Sequence, residues 1–393
     1  MKWATAVSTA PELESAIGRA ALEVQEQLRG ATPDLALVFI TEHYRNAYHR
    51  LPELLAPRLG KPALIGCSAG GVIGGGHELE GEPGLALTAA VLPGVQVQPF
   101  HLAEFNPVPT PLNAKLGLQV LRGGSASLIL LGDPFTSDME QLLPVLDQEF
   151  PGSQKVGGLA SGTAGRGETA LFLGEQVLHA GVVGVALWGN LQMGTIVAQG
   201  CRGVGDPLFV TRADEHRIRE LDGKAPAEVL EALFQKMPPG DRQLARSSLF
   251  LGVAAPHSGT RLGAGDFLIR NIVGLEQDSG ALVVAANVRE HMVVQFHLRD
   301  AEASRADLET MLSRFTRETE AEQHAGALLF SCLGRGRGLY GEPDHDSRQF
   351  RRHLSDVPLA GFFCNGEIGP VQGMTSLHGY TSAFALFAPK QEA

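Results

Sequence analysis

The chain has 393 residues, a formal net charge of −11, and 44% hydrophobic against 19% charged residues, the balance of a folded protein long enough for two cored domains. Its acidity excludes a nucleic-acid surface and adsorption on anionic lipid, both of which need a basic face. No run of about eighteen apolar residues occurs and Met1-Lys2-Trp3-Ala4-Thr5-Ala6 lacks the apolar stretch of a signal peptide, so a cytoplasmic protein with no membrane or nucleic-acid partner is expected.

Thr9 and Glu12 have capping-box spacing, and Leu13, Ala16, Ile17, Ala21, Val24 and Leu28 fall on one helical face that Gly30 ends. Leu35–Ile40 is almost continuously apolar, as a strand buried on both faces should be. A helix carrying Leu51, Leu54, Leu55 and Leu59 leads to the first glycine motif, Ala63-Leu64-Ile65-Gly66-Cys67-Ser68-Ala69-Gly70-Gly71. Leu85–Leu92 and Val95–Leu102, parted by Pro93-Gly94, predict an antiparallel hairpin. A helix near Leu112–Leu121 feeds the strand Leu128–Leu131, and a second crossover ends in Val156-Gly157-Gly158-Leu159-Ala160-Ser161-Gly162.

Ala170 to Gly200 predicts an antiparallel region turning at Gly174-Glu175 and Gly189-Asn190. Gly200, Gly203, Gly205 and Pro207 then crowd into a boundary, dividing the chain into domains 1–203 and 204–393. Beyond it come short strands at Leu208–Thr211 and Arg217–Leu221 and a helix at Pro226–Gln235. The strands Phe250–Ala255, Phe267–Val273, Leu282–Asn287 and Met292–Leu298 follow. Asp300 is placed to cap a helix carrying Leu308, Met311, Leu312 and Phe315. A third crossover joins Ala327–Cys332 to Gly361-Phe362-Phe363-Cys364-Asn365-Gly366-Glu367, and Ser382–Phe387 closes the chain. The expected fold is α/β, with mixed parallel and antiparallel sheets, crossover helices, and two domains on a similar strand–helix–strand plan.

Ligands gather where parallel strands end, so the glycine motifs mark the candidate site. The loop after Cys332 holds Arg335 and Arg337 among glycines, groups that receive a carboxylate, while Cys364, Asn365 and Glu367 offer a thiol, an amide and a carboxylate. Arginine on one wall and glutamate on the other suit a zwitterion. The plainer alternative is that Arg335 pairs with Glu367 and both cysteines are packing. Cys67 and Ser68 are placed to contribute from the first half. Gly336-x-Gly338-x-x-Gly341 matches a dinucleotide fingerprint, but Glu342-Pro343-Asp344-His345-Asp346 follows and would repel a pyrophosphate. The histidines lack metal-ligand spacing. His378, just before the last strand, is retained as a candidate, for a haem as well as for a small ligand. No cofactor is otherwise expected.

Taken in order, Gly66 to Gly71, Val156-Gly157-Gly158, Asp206 to Thr211, Leu221-Asp222-Gly223-Lys224, Phe330-Ser331-Cys332 with Arg335, and Gly361 to Glu367 with His378 and Thr381 resemble the FIST family (F-box and intracellular signal transduction) over nearly the whole chain. The resemblance implies a sensory module for small ligands such as amino acids or small carboxylates. Some relatives are haem-containing nitric oxide sensors and others belong to F-box ubiquitin-ligase subunits. No kinase, methyl-accepting or F-box segment is present, so signalling through a separate protein is expected. The competing expectation from the residues is a cysteine-dependent hydrolase or transferase using Cys67, Cys332 or Cys364.

Overall fold

Apolar runs bounded by glycine need a neighbour on each edge and cover on each face. In the computed structural model, which describes residues 1–103, 126–255, 262–263, 265–319 and 324–390, they form three parallel pairs. These are Leu35–Thr41 with Ala63–Ala69, Ser127–Gly132 with Lys155–Leu159, and Gly326–Cys332 with Leu359–Cys364. Each pair is the centre of its own six-stranded sheet. The helix expected near Leu112–Leu121 lies outside the described residues.

The three sheets follow one plan. An outer strand (Lys2–Ser8, Val95–Leu102 or Gln192–Gln199) runs antiparallel to an inner one (Leu85–Val91, Val182–Gly189 or Thr381–Ala388) that flanks the parallel pair. The other flank of each pair is covered by a hairpin from a different segment of the chain. Gly71–Gly74 with His77–Glu80 leaves the first segment for the third sheet, and Leu171–Leu173 with Gln176–Leu178 leaves the second for the first. Glu367–Val371 with Met374–His378 leaves the third for the second. The exchange is cyclic, and among the described residues no segment completes its own sheet.

A glycine recurs at the same register in each pair: Gly66 opposite Val38, Gly157 opposite Leu130, Gly361 opposite Leu329. A Cβ at these positions would lie 2.1, 1.8 and 1.8 Å from the partner's carbonyl oxygen. The inner faces of all three sheets share one core, in which Phe39 of the first stacks on Phe362 of the third with ring centroids 4.8 Å apart. Helices cover the outer faces: Leu13–Leu28 and Leu51–Leu59 on the first, Met139–Glu149 on the second, Ala301–Glu318 and His345–His353 on the third.

Between the outer strand of the third sheet and helix Ala301–Glu318 a closed six-stranded barrel is inserted, in the order Cys201–Asp214, Arg217–Leu221, Leu282–Val284, Phe267–Leu275, Leu249–Ala254 and Val293–Arg299. Asp300 caps the following helix as expected, accepting from Glu302 N at 2.9 Å and Ala303 N at 3.1 Å.

The α/β class with mixed sheets is thus realised, and several local expectations change. Leu85–Val91 and Val95–Leu102 do not pair; the first is almost wholly buried and joins the first sheet, while the half-exposed second suits an outer position in the second sheet. Gly189-Asn190 likewise passes the chain between sheets. Glu12, not Thr9, occupies the N-cap position of the first helix, and it makes no side-chain cap bond. The boundary placed at residue 203 falls inside the strand Cys201–Asp214, which bulges between Val204 and Leu208. Among the described residues no helix is long and apolar enough to cross a membrane.

Replacing Gly157 or Gly361 with alanine should cost about 3 kcal/mol or more, because the clash is with backbone. Gly240→Ala, where a Cβ meets nothing within 4 Å, should stay within about 1 kcal/mol. Denaturant titration of the three variants measures the difference, and equal costs would refute the register argument.

Candidate functional site

The three glycine motifs do converge, at the carboxyl ends of the parallel pairs. Ser161 joins them: its Oγ accepts from Gly70 N at 2.8 Å and donates to the Phe363 carbonyl, and its N–H donates to Ser68 O at 3.1 Å. This junction is closed. Cys67 lies in the shared core, and Ser68 Oγ accepts from Ala170 N at 3.1 Å; both are fully buried.

Open space lies beside the third pair, where a cavity of about 360 Å³ separates its end from the barrel. Cys332 and Cys364, side by side in register, and Asn365 form one wall. His378 and Tyr380 form the next, and Arg270, Asn271 and Arg299 come from the barrel. The Gly157-Gly158 motif makes room for this wall, since a Cβ on Gly158 would lie 2.4 Å from Cys364 Sγ.

Arg335 and Glu367 stand behind the wall rather than on it. Arg335, 1% exposed, donates from Nε and Nη2 to Asp346 Oδ2 and Oδ1 at 2.9 and 3.1 Å. Asp346 also accepts from Ser382 Oγ at 2.5 Å, Ser331 Oγ at 3.2 Å and His345 Nδ1 at 3.0 Å. Glu367, 0% exposed, accepts at Oε2 from Thr381 N and Oγ1 at 3.1 and 2.8 Å. Arg335 Nη1 and Glu367 Oε1 are buried with no hydrogen-bond partner among the described residues, and the Cys332 thiol lies close to the carboxyl. The partner of Arg335 is therefore Asp346, not Glu367. Asp346 sits in the acidic run read above only as hostile to a pyrophosphate.

The glycine loop after Arg335 winds into a short helix, Gly336–Tyr340, and Arg337 N donates to Glu80 Oε1 at 2.8 Å. The protein's own carboxylate, from the exchanged hairpin, occupies that loop.

Register relates the site to its counterparts in the other sheets. Glu367 lies opposite Gly158, as Val72 lies opposite Phe362 and Leu171 opposite Cys67. Those two equivalents belong to the apolar core. The pair Ser331 and Ser382 stands where the other sheets have Ile40 with Leu85 and Gly132 with Val182. At these register positions the polar side chains stand at the third pair's end, where the cavity lies; one residue further on, the second pair's end has its own buried carboxylate, Asp133, bonded to Thr136 and Thr169.

Burial sets the titration of these groups. It pushes Glu367 up to about 8, against the hydrogen bonds of Thr381 and the charge of Arg335. Burial alone would raise Asp346 too, but the Arg335 guanidinium and the bonds from His345 and Ser382 outweigh it and hold the carboxyl well below the usual range. Burial raises all four thiols, Cys201 to about 12 and Cys67, Cys332 and Cys364 well above their ordinary value; an activated nucleophile needs the opposite. His378, 3% exposed, is lowered to about 4 by burial.

The wall also holds groups that the sequence did not single out. Arg270 Nη2 pairs with Glu140 at 3.0 Å. Arg299 donates to Gly334 O at 3.2 Å and lies 5.6 Å from the centre of the Tyr380 ring. No carboxylate pairs with Arg299 among the described residues. Its only sequence signal is its place at a strand end beside the Asp300 cap. Among the described residues no three His, Cys, Asp or Glu side chains gather to hold a metal ion.

Asp346→Asn leaves the buried Arg335 charge uncompensated and should cost about 3–5 kcal/mol, read as a fall in the unfolding midpoint; a cost under 1 kcal/mol would show that the pair is solvated. Glu367 predicts a pH dependence. The folded protein keeps a proton that the unfolded chain releases, so stability falls as pH rises from about 4.5 to about 8. Glu367→Gln should flatten that slope, leaving the share due to Glu78, which burial and then Asp346 also push to about 8. An unchanged slope in thermal melts across this range would contradict a protonated Glu367.

The FIST N domain profile matches residues 34–224 and the FIST C domain profile residues 226–370. An uncharacterized protein of Mycobacterium tuberculosis is 38% identical over 98% of this chain and 100% of its own. An uncharacterized protein of Mycobacterium bovis is 35% identical over 100% of both. An F-box/LRR-repeat protein of Arabidopsis thaliana is 30% identical over 105 residues, 26% of this chain and 20% of its own.

Proposed function

The chain belongs to the FIST family, and on that footing we propose that it is a cytoplasmic sensory protein whose ligand, a small carboxylate, binds in the cavity between barrel and third sheet. FIST domains are generally regarded as small-ligand sensory domains in signal transduction. The observation that carries the ligand assignment is Arg299, a half-buried guanidinium on the cavity wall with no acidic partner among the described residues. With Arg270 neutralised by Glu140, the wall keeps one net positive charge on a chain of net charge −11. A carboxylate is the natural complement, bound in the forked geometry that guanidinium favours.

Asn365, His378 and Tyr380 supply neutral polar contacts, and Cys332 and Cys364 supply soft wall. Arg335 and Glu367 act from behind, locking the strand ends that carry these groups. The cavity volume suits a small molecule. A ligand bridging barrel and sheet would restrain one against the other, and a separate signalling protein would read that change. The raised thiols give a hydrolase or transferase reading no nucleophile.

A thermal-shift panel of small carboxylates tests the proposal. A ligand at a hundred times its Kd stabilises by about 2.7 kcal/mol, and Arg299→Met should abolish the shift, measured from the variant's own unliganded midpoint because the bond to Gly334 O and the Tyr380 contact are lost with it. A shift that survives in Arg299→Met would move the anchor elsewhere, and no shift with any carboxylate would end the assignment.

A further inference from the structure

With the carboxylate placed at Arg299, as proposed above, the remaining wall restricts what else the ligand carries. Among the described residues an ammonium group finds no free anion there. Glu140 is committed to Arg270. Glu367 is 0% exposed, behind the wall, with Oε2 occupied by Thr381. Arg270 and Arg299 would repel a third cation, and desolvating an unpaired charge is costly. A second carboxylate fares little better, because Arg270 is already held by Glu140 and by Leu377 O at 3.2 Å.

His378 makes the opposite demand. Its Nε2 lies 3.1 Å from Gly369 O, a carbonyl that can only accept, so Nε2 carries the proton. Nδ1 is then a lone pair, and it is buried with no partner among the described residues. His378 is among the residues that line the cavity, and its lowered pKa keeps it neutral at pH 7. An unsatisfied buried acceptor favours any ligand that brings it a donor.

We infer that the cavity selects a monocarboxylate bearing an uncharged hydrogen-bond donor, a 2-hydroxy acid being the simplest such molecule, and that His378 Nδ1 is the acceptor that reads the donor. The hydroxyl satisfies Nδ1 without bringing charge. A 2-oxo acid has no proton to donate there, and a 2-amino acid brings a cation toward two guanidiniums.

The test is isothermal titration of the full chain at pH 7 with two matched series: lactate, alanine, pyruvate and propionate, and the 2-hydroxy, 2-amino, 2-oxo and unsubstituted forms of the isovalerate skeleton. The 2-hydroxy acid of at least one skeleton should bind at least about tenfold more tightly than its three counterparts. His378→Phe should erase that preference while leaving carboxylate binding, and His378→Gln, whose amide oxygen can accept, should restore part of it. If His378→Phe does not fold, the wild-type ranking and His378→Gln still decide. Equal affinities, or tighter binding of the amino or oxo acid, would overturn the inference while the Arg299 anchor stood. No binding by any of the eight compounds, with other carboxylates giving shifts, would overturn it alone; no binding by any carboxylate would remove both.

Discussion

A parallel strand pair exposes unpaired N–H and C=O groups along its outer edges, and the way this chain covers those edges governs the rest of the molecule. One edge is covered locally, by the strand that returns after each crossover. The other is covered only by a hairpin sent from another segment. Each sheet therefore depends on two segments, and the three share one core. The two family domains meet near residue 225, yet the Gly71–Glu80 hairpin completes the sheet of the C-terminal part, and the barrel draws strands from both sides of that point.

Repetition of one plan gives the cavity its meaning. In a threefold arrangement, equivalent positions face equivalent surroundings, so a difference in residue type reflects something local to one copy. Val72 and Leu171 fill the core where Glu367 stands, and Ile40 and Leu85 pack where Ser331 and Ser382 bond to Asp346. Burying a carboxyl and an ion pair in place of methyl groups lowers stability unless each group is paired. Asp346 meets that demand nearly in full, whereas Arg335 Nη1 and Glu367 Oε1 have no hydrogen-bond partner among the described residues. Local violations of packing rules of this kind are expected at functional sites.

The barrel turns a sheet end into a pocket. In the third segment it occupies the stretch between the outer strand and the crossover helix, so its strands Phe267–Leu275 and Val293–Arg299 overhang the end of the parallel pair. Arg270 and Arg299 arrive on those strands. Contacts such as Tyr380 Oη to Asn271 at 2.8 Å and Gln199 Nε2 to Phe267 O at 2.9 Å fasten barrel to sheet. The wall combines a strand end of the third sheet with a face supplied by a separately cored unit.

Where the governing forces are local, the amino-acid sequence determined the outcome. Continuous apolar runs marked the parallel strands, glycines marked where one backbone passes close to another, Asp300 marked a helix start, and the third glycine motif carried Cys364 and Asn365, which line the cavity. Tertiary structure alone decided which edge each hairpin covers, because Pro93-Gly94 specifies a change of direction but not the sheet that receives the next strand. It alone joined Arg335 to Asp346 rather than to Glu367, and brought Arg299 to the cavity. Those contacts depend on how separate strands are ordered in space, and strand order follows from total burial and edge pairing across the whole chain, quantities that no short stretch of residues contains.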